Sequence, residues 1–244
     1  MGSPLTIEQI EELKAFSTPT ISNAIELFHV RPPTEGFMRP GLICRYPDFP
    51  PIVGYAATAT FAAQQPAARP SDPQAYYESV LAQPAPRISV AQDLDEEPIG
   101  ALFGEVTATV HKALGCVGHI TNGGVRDIDE VREIGFQLIS SCVLVAHAYI
   151  HLEDFATPVQ VGGVTVNPGD LLHADQHGFC IIPPEVAPHL AEACRSIEAA
   201  EQHSLMALAR SSEFTVAEYV QARVEFTDRL TALSADFRRR IASQ

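Results

Sequence analysis

The residue types best suited to chemistry fall in one short run, Gly118-His119-Ile120-Thr121-Asn122-Gly123-Gly124-Val125-Arg126-Asp127-Ile128-Asp129-Glu130. It reads as a strand that ends at two glycines and turns into a helix. The glycines permit a sharp turn and leave amides to face an anion at the helix start. Arg126 brings a fixed positive charge whose planar fork suits a carboxylate or a pair of neighbouring oxygens. Asp127 offers oxygen to a hard divalent cation, which keeps several waters when only one or two carboxylates hold it. The same letters also have a purely structural reading. Asp127 with Glu130 three residues on is a capping-box-like pattern, and Ile128, Val131 and Ile134 form a buried stripe behind it. What favours chemistry is Gly100-Ala101-Leu102-Phe103-Gly104-Glu105, which sets a second carboxylate behind a glycine at another helix start. Helix starts at successive strand ends of an α/β sheet converge on one crevice, so Glu105 and Asp127 are expected to share a site.

The elements that must position these residues alternate in type. Residues 6–16 have an amphipathic helical pattern, and Thr18-Pro19 or Thr20 offers the cap of a second helix. Residues 32–51 are proline-rich and expected to be irregular. Residues 52–62 read as a strand and 64–73 as a long Ala/Pro/Gln loop. Then follow a short strand at 88–90, a helix at 105–114, a strand at 116–121, a helix at 128–134 and a strand at 138–146. That alternation is the pattern of an α/β domain. Gly162-Gly163 between Val159-Gln160-Val161 and Val164-Thr165-Val166 signals a hairpin. Two further strands are expected at 171–175 and 178–183. From Pro188 onward the chain turns helical, with one apolar stripe through Leu190, Cys194 and Ile197 and another through Leu230, Leu233, Phe237 and Ile241.

Bulk properties narrow the function. With 16 basic and 30 acidic residues the net charge is −14, which opposes nonspecific attraction to nucleic acid or anionic membrane. An enzyme for small anions must then supply local positive charge, as Arg126 and helix starts do. No apolar run approaches the ~20 residues of a membrane span, and no secretory signal opens the chain, so a cytoplasmic location is expected. Met1-Gly2-Ser3-Pro4-Leu5-Thr6 formally matches a myristoylation pattern but reads as a plain terminus or cloning remnant. The five cysteines lack any Cys-x-x-Cys pair and read as reduced core residues.

Glu105, a spacer of twenty residues, then Arg126-Asp127 resembles the pattern of the class II 4-hydroxy-4-methyl-2-oxoglutarate aldolases, which share a fold with the regulator of ribonuclease activity A (RraA-like proteins). The similarity runs from about Thr18 through the hairpin and Gly169-Asp170-Leu171-Leu172-His173-Ala174-Asp175 to Pro183. The resemblance implies a layered β/β/α swivelling-type α/β domain with a mixed sheet. It implies one such domain over residues 1–244, with amino-terminal helices at about 6–30 and a carboxy-terminal helical extension at about 186–244. It also implies a homotrimer or hexamer cleaving a 4-hydroxy-2-oxo acid to pyruvate, with oxaloacetate decarboxylation as a related activity. Asp127 would hold Mg²⁺, with Mn²⁺ or another divalent cation as alternatives. Arg126 would contact the 2-oxo acid and the developing oxyanion, Glu105 would manage the proton, and the backbone of Gly104, Val106 and Thr107 would hold the substrate carboxylate. Asn122 stands where many members have Asp. Two alternatives remain: a non-catalytic regulator that binds an RNA-processing enzyme, and a same-fold enzyme for another sugar or hydroxy acid.

Other candidates weigh less. His147/His151 and His173/His177 have a metal-like spacing only if helical, and strand-like surroundings argue against that. His147, His151 and Asp175 are instead expected to line the pocket. Arg238-Arg239-Arg240 reads as a solvated helix end.

Overall fold

Thr6 accepts a hydrogen bond from the amide of Gln9, whose side chain returns one to the Thr6 amide, and this capping box starts α1 (Ile7–Leu13). In the computed structural model, which describes residues 4–211 and 213–243, α2 (Thr18–Glu26) is capped by Ser17 rather than by Thr18 or Thr20. Pro19 then sits in the first helical turn, where a missing amide costs nothing. The expected irregular stretch contains the short β1 (Ile43–Cys44), and β2 runs Ile52–Ala62 as expected. Next come α3 (Pro73–Leu81), β3 (Arg87–Asp93), β4 (Ala101–Phe103), α4 (Glu105–Ala113), β5 (Cys116–Thr121), β6 (Gly124–Val125) and α5 (Ile128–Glu133). After these come β7 (Gln137–Ser140), β8 (Cys142–Val143), β9 (His151–Phe155), the hairpin β10 (Val159–Val161) and β11 (Val164–Val166), β12 (Leu171–Asp175) and β13 (Gly178–Ile182). The last helices are α6 (Leu190–Glu201), a π-helical turn over Gln202–Met206, α7 (Ala207–Ala209) and α8 (Val216–Ala242). Residues Met1–Ser3, part of the myristoylation match, lie outside the described residues.

The chain folds as two compact units, one of residues 35–182 and one that combines the segments 1–34 and 183–244. The larger unit is built on a mixed sheet in the order β1-β7-β5-β3-β2-β12-β13, with β9 also on β2. Strands β2, β3, β5 and β7 are parallel, while β1, β12 and β9 are antiparallel to their neighbours. Strand alternation sends Ile88 and Val90 to one face, where they meet Val159, Val161, Val164 and Val166 of the hairpin. The other face carries Ala57, Ala59 and Ala91 against Tyr76, Val80, Ala108 and Val131 of α3, α4 and α5. The result is a β/β/α layering with a mixed sheet, as the resemblance implied. The smaller unit packs α6 on α1, α2 and α8, with Leu190, Cys194, Ile197 and Phe237 buried and Phe28 against Phe237 at 5.1 Å.

One expected strand is two. The segment 138–146 breaks at Ser141, whose amide and hydroxyl both donate to the Gly123 carbonyl. Strand β7 stays in the large sheet, and β8 joins a separate parallel sheet, β4-β6-β8. The step is shared: β3, β5 and β7 are neighbours in the large sheet, and the strands that follow each of them, β4, β6 and β8, are neighbours in the same order in the small one. Helix α3, absent from the sequence reading, begins with Asp72 accepting from the Ala75 amide and Pro73 at the first helical position.

Candidate functional site

Strands β4 and β6 pair in parallel, Ala101 with Gly124 and Phe103 with Val125, so both leave the small sheet at the same end. Strand β4 runs through Gly104 into α4, and β6 runs through Arg126 and Asp127 into α5. Two helix starts are thereby set side by side, as the sequence suggested. The Arg126 amide donates to the Phe103 carbonyl at 3.0 Å and extends the pairing by one residue.

Asp127 does not do what the capping-box reading asked of it. It occupies the cap position of α5 in the left-handed region, φ 53° and ψ 51°, and makes no side-chain cap bond to its own helix. Its Oδ2 instead accepts from the Glu105 amide at 3.0 Å, the first amide of the neighbouring helix, with Arg126 Nε 3.6 Å from the same oxygen. A carboxylate at a helix start is favoured by the amide dipoles, here across two chain segments. Gly104 makes this possible through space. A Cβ there would lie 2.3 Å from Asp127 Oδ2 and 3.0 Å from Arg126 Cγ. Arg126 and Asp127 are half-buried, with side-chain exposures of 27% and 36%, while Glu105 is exposed and Val106 is 77% exposed beside it.

The expectation that the Gly123-Gly124 turn leaves amides for an anion needs correction. Gly123 and Gly124 are not among the positive-φ glycines, and the Gly123 amide is taken by Thr121 Oγ1 at 2.9 Å. These glycines are required by crowding, since a Cβ would meet Phe61 and Asp93 at Gly123 and Leu144 at Gly124. Likewise the Glu105 amide is occupied by Asp127. The amides of Val106 and Thr107 are the ones that the first helical turn leaves without an intrahelical acceptor.

Around this corner lie residues to which the sequence reading gave no role. Asn122 clamps the end of β3, accepting from the Asp93 amide at 2.8 Å and donating to the Asp93 carbonyl at 2.9 Å. Asp93 is 3% exposed, and its Oδ2 has no partner among the described residues. Burial, with the Asp95 charge adding to it, pushes its pKa up to about 6. Behind α4, His111 and His119 are buried, with Phe103 stacked on His119 at 3.5 Å and 4.6 Å from His111. Alternation within the expected strand at 88–90, extended to Asp93, is the signal that places Asp93 at its end.

None of the four histidines lies on a helix, as their surroundings suggested: His151 and His173 are on strands, His177 is in a turn and His147 in the loop before β9. His151 pairs with Ala62 at the carboxyl end of β2, the end from which the site's strands emerge. Asp175 does not join it. Its neighbour Ala174 pairs with Ile52, the first residue of β2, so Asp175 sits at the opposite strand end, bound to His177 at 3.1 Å. Among the described residues no three His, Cys, Asp or Glu are grouped to hold a metal. All five cysteines are free.

A mixed sheet covered by helices on one face and a hairpin on the other, with two helix starts joined by an aspartate, defines a class of α/β protein. The chain belongs to the RraA-like family described as Aldolase/RraA, which matches residues 18–181. A relative from Ectopseudomonas mendocina, provisionally named a 4-hydroxy-4-methyl-2-oxoglutarate aldolase, is 32% identical over 85 residues, 34% of this chain and 52% of the relative. The matches to the first three curated relatives span 19%, 40% and 52% of their own lengths. Among solved structures, an uncharacterised protein from Pseudomonas syringae pv. tomato aligns with TM-score 0.70 at 22% identity, over 92% of this chain and 96% of that one. Streptomyces coelicolor RraAS2, described as an unusual member of the RNase ES inhibitor RraA family, aligns with TM-score 0.67 at 22% identity, over 84% and 98%. These two likenesses show the fold.

Proposed function

We propose that the chain is a divalent-metal-dependent carbon–carbon lyase that cleaves a 4-hydroxy-2-oxo acid, such as 4-hydroxy-4-methyl-2-oxoglutarate, to pyruvate, and that it also decarboxylates oxaloacetate. The observation that carries this reading is the Asp127 carboxylate drawn onto the first amide of α4, with Arg126 against it and Glu105 beginning the same helix turn. Asp127 is half-exposed, hard and anionic. A single carboxylate of that kind suits Mg²⁺, which dehydrates reluctantly and keeps several waters. Bound there, the cation would supply Lewis-acid polarisation of the substrate's 2-oxo group.

The chain's own groups divide the remaining work. The amides of Val106 and Thr107 receive the substrate carboxylate. Arg126 meets the negative charge that grows on the 2-oxo oxygen as the bond between C3 and C4 breaks and its electron pair moves toward C2. The proton leaves the 4-hydroxyl as that carbon becomes a carbonyl, and one returns to C3 to give pyruvate. Glu105, exposed beside Arg126, is the carboxylate that exchanges these protons.

The test is pyruvate release from a 4-hydroxy-2-oxo acid or from oxaloacetate. It should require Mg²⁺ or Mn²⁺, stop with EDTA, and fall at least ~100-fold in Arg126→Ala. Release that is unchanged in either arm defeats the mechanism. Inhibition of a ribonuclease, the role by which the family of Streptomyces coelicolor RraAS2 is described, is the other function this family suggests. Co-migration with a ribonuclease in the absence of pyruvate release would select it.

A further inference from the structure

The buried polar groups behind α4 form one directed chain. The Thr107 carbonyl can only accept, so His111 Nδ1, 2.8 Å away, carries the ring proton. Burial keeps the ring neutral, its pKa drawn down to about 4, so Nε2 is a bare acceptor. The Tyr76 hydroxyl, 2.8 Å from Nε2, therefore donates to it. Deeper in the core, His119 Nδ1 and Ser89 Oγ lie 3.0 Å apart. All four side chains belong to the larger unit, and His111 and His119 are wholly shielded from solvent.

The chain does not end at Thr107. Its carbonyl shares a peptide unit with the Ala108 amide, which donates to the Gly104 carbonyl at 2.9 Å. That carbonyl shares a peptide unit with the Glu105 amide, which donates to Asp127 Oδ2 at 3.0 Å. Every donor points the same way, from the core toward the carboxylate, and hydrogen bonds in such a row polarise one another. We propose that Tyr76 and His111 are positioning residues for the Asp127 carboxylate, acting through the peptide units of Thr107–Ala108 and Gly104–Glu105. The consequence for catalysis rests on the lyase reading above; the hydrogen-bond row stands without it.

The experiment is nitrogen NMR on the labelled full chain with no metal added, followed by Mn²⁺ titration. In the unaltered chain His111 should carry its proton on Nδ1 across pH 6–8, and a proton on Nε2 instead would overturn the proposal without any variant. In Tyr76→Phe, which keeps the ring, the Glu105 amide proton should move upfield while the hairpin amides of Val161 and Thr165 stay in place. Mn²⁺ affinity should weaken roughly tenfold, the size of effect seen when an outer partner of a metal ligand is removed. The kcat for pyruvate release should fall similarly with KM little changed. If Tyr76→Phe does not fold, His111→Phe removes the donor to the Thr107 carbonyl and should move the same amide. A Glu105 amide that stays fixed in the folded variant means the tyrosine–histidine pair is core packing only, and the proposal is wrong. A wild-type chain that neither binds Mn²⁺ nor releases pyruvate would defeat the lyase reading, while the Glu105 amide would still decide this one.

Discussion

Asp127 holds a backbone conformation, φ 53°, that costs a non-glycine residue of order 1–2 kcal/mol. Asparagine tolerates that region and would still accept from the Glu105 amide. Asp127→Asn is therefore expected to melt within a few degrees of the wild type while pyruvate release falls at least ~100-fold, because only the charge is lost. A fall in melting temperature matching the loss of activity would instead make Asp127 structural. Asp93 makes the opposite case. Its pKa in the fold is about 6 against 3.8 for an ordinary aspartate, so the folded chain binds the proton more tightly than the unfolded one. Stability then declines as pH rises from about 4 to 6, and the full penalty, up to about 3 kcal/mol, is present above 6. Asp93→Asn should match the wild type in urea midpoint near pH 4 and exceed it at pH 7. Equal midpoints at pH 7 would show that Asp93 is not strained by its charge.

At the level of elements, the site depends on where β4 stops. Gly100 precedes β4, and a Cβ there would lie 2.3 Å from the His147 carbonyl oxygen and 2.5 Å from the Ala63 Cβ. Neither atom can swing aside as a long side chain would. Gly100→Ala is expected to cost about 1–3 kcal/mol by urea unfolding and to lower activity by shifting Phe103 and Gly104. Unchanged unfolding would mean that the loop after β3 gives way freely. Helix α3 was legible in Asp72-Pro73, a cap followed by a proline at the first helical position, yet the Ala/Pro/Gln run before it hid the signal. The break at Ser141 was not legible. The run from 138 to 146 is apolar on both sides of Ser140-Ser141, and two serines do not by themselves end a strand; it is the Gly123 carbonyl, in the turn between β5 and β6, that marks where one sheet hands over to the next.

For the molecule as a whole, the net charge of −14 leads to a simple expectation. The chain should not retard labelled single-stranded RNA in a gel at 150 mM salt, since no phosphate charge is neutralised by a basic surface. A shift there would reveal a local basic face that the total conceals. Among the described residues no helix is long and apolar enough to cross a membrane. The family assignment, the layering and the mixed sheet agree with what the resemblance implied, and the alternation of strands and helices with an α/β domain.

What the letters alone determined was the alternation of elements, since apolar periodicity and glycine or proline punctuation act over a few residues. They also marked Glu105 and Arg126-Asp127 as residues to watch. They could not decide whether Asp127 caps its own helix or reaches another, because both need the same aspartate at the same place. The tertiary structure decided it: β4 and β6 lie side by side, Gly104 leaves the space of a missing Cβ, and the carboxylate finds its donor twenty-two residues earlier in the chain. Nor could they reveal the row from Tyr76 to Thr107. Its members are drawn from α3 and α4, and only the packing of those elements makes Tyr76 and His111 neighbours.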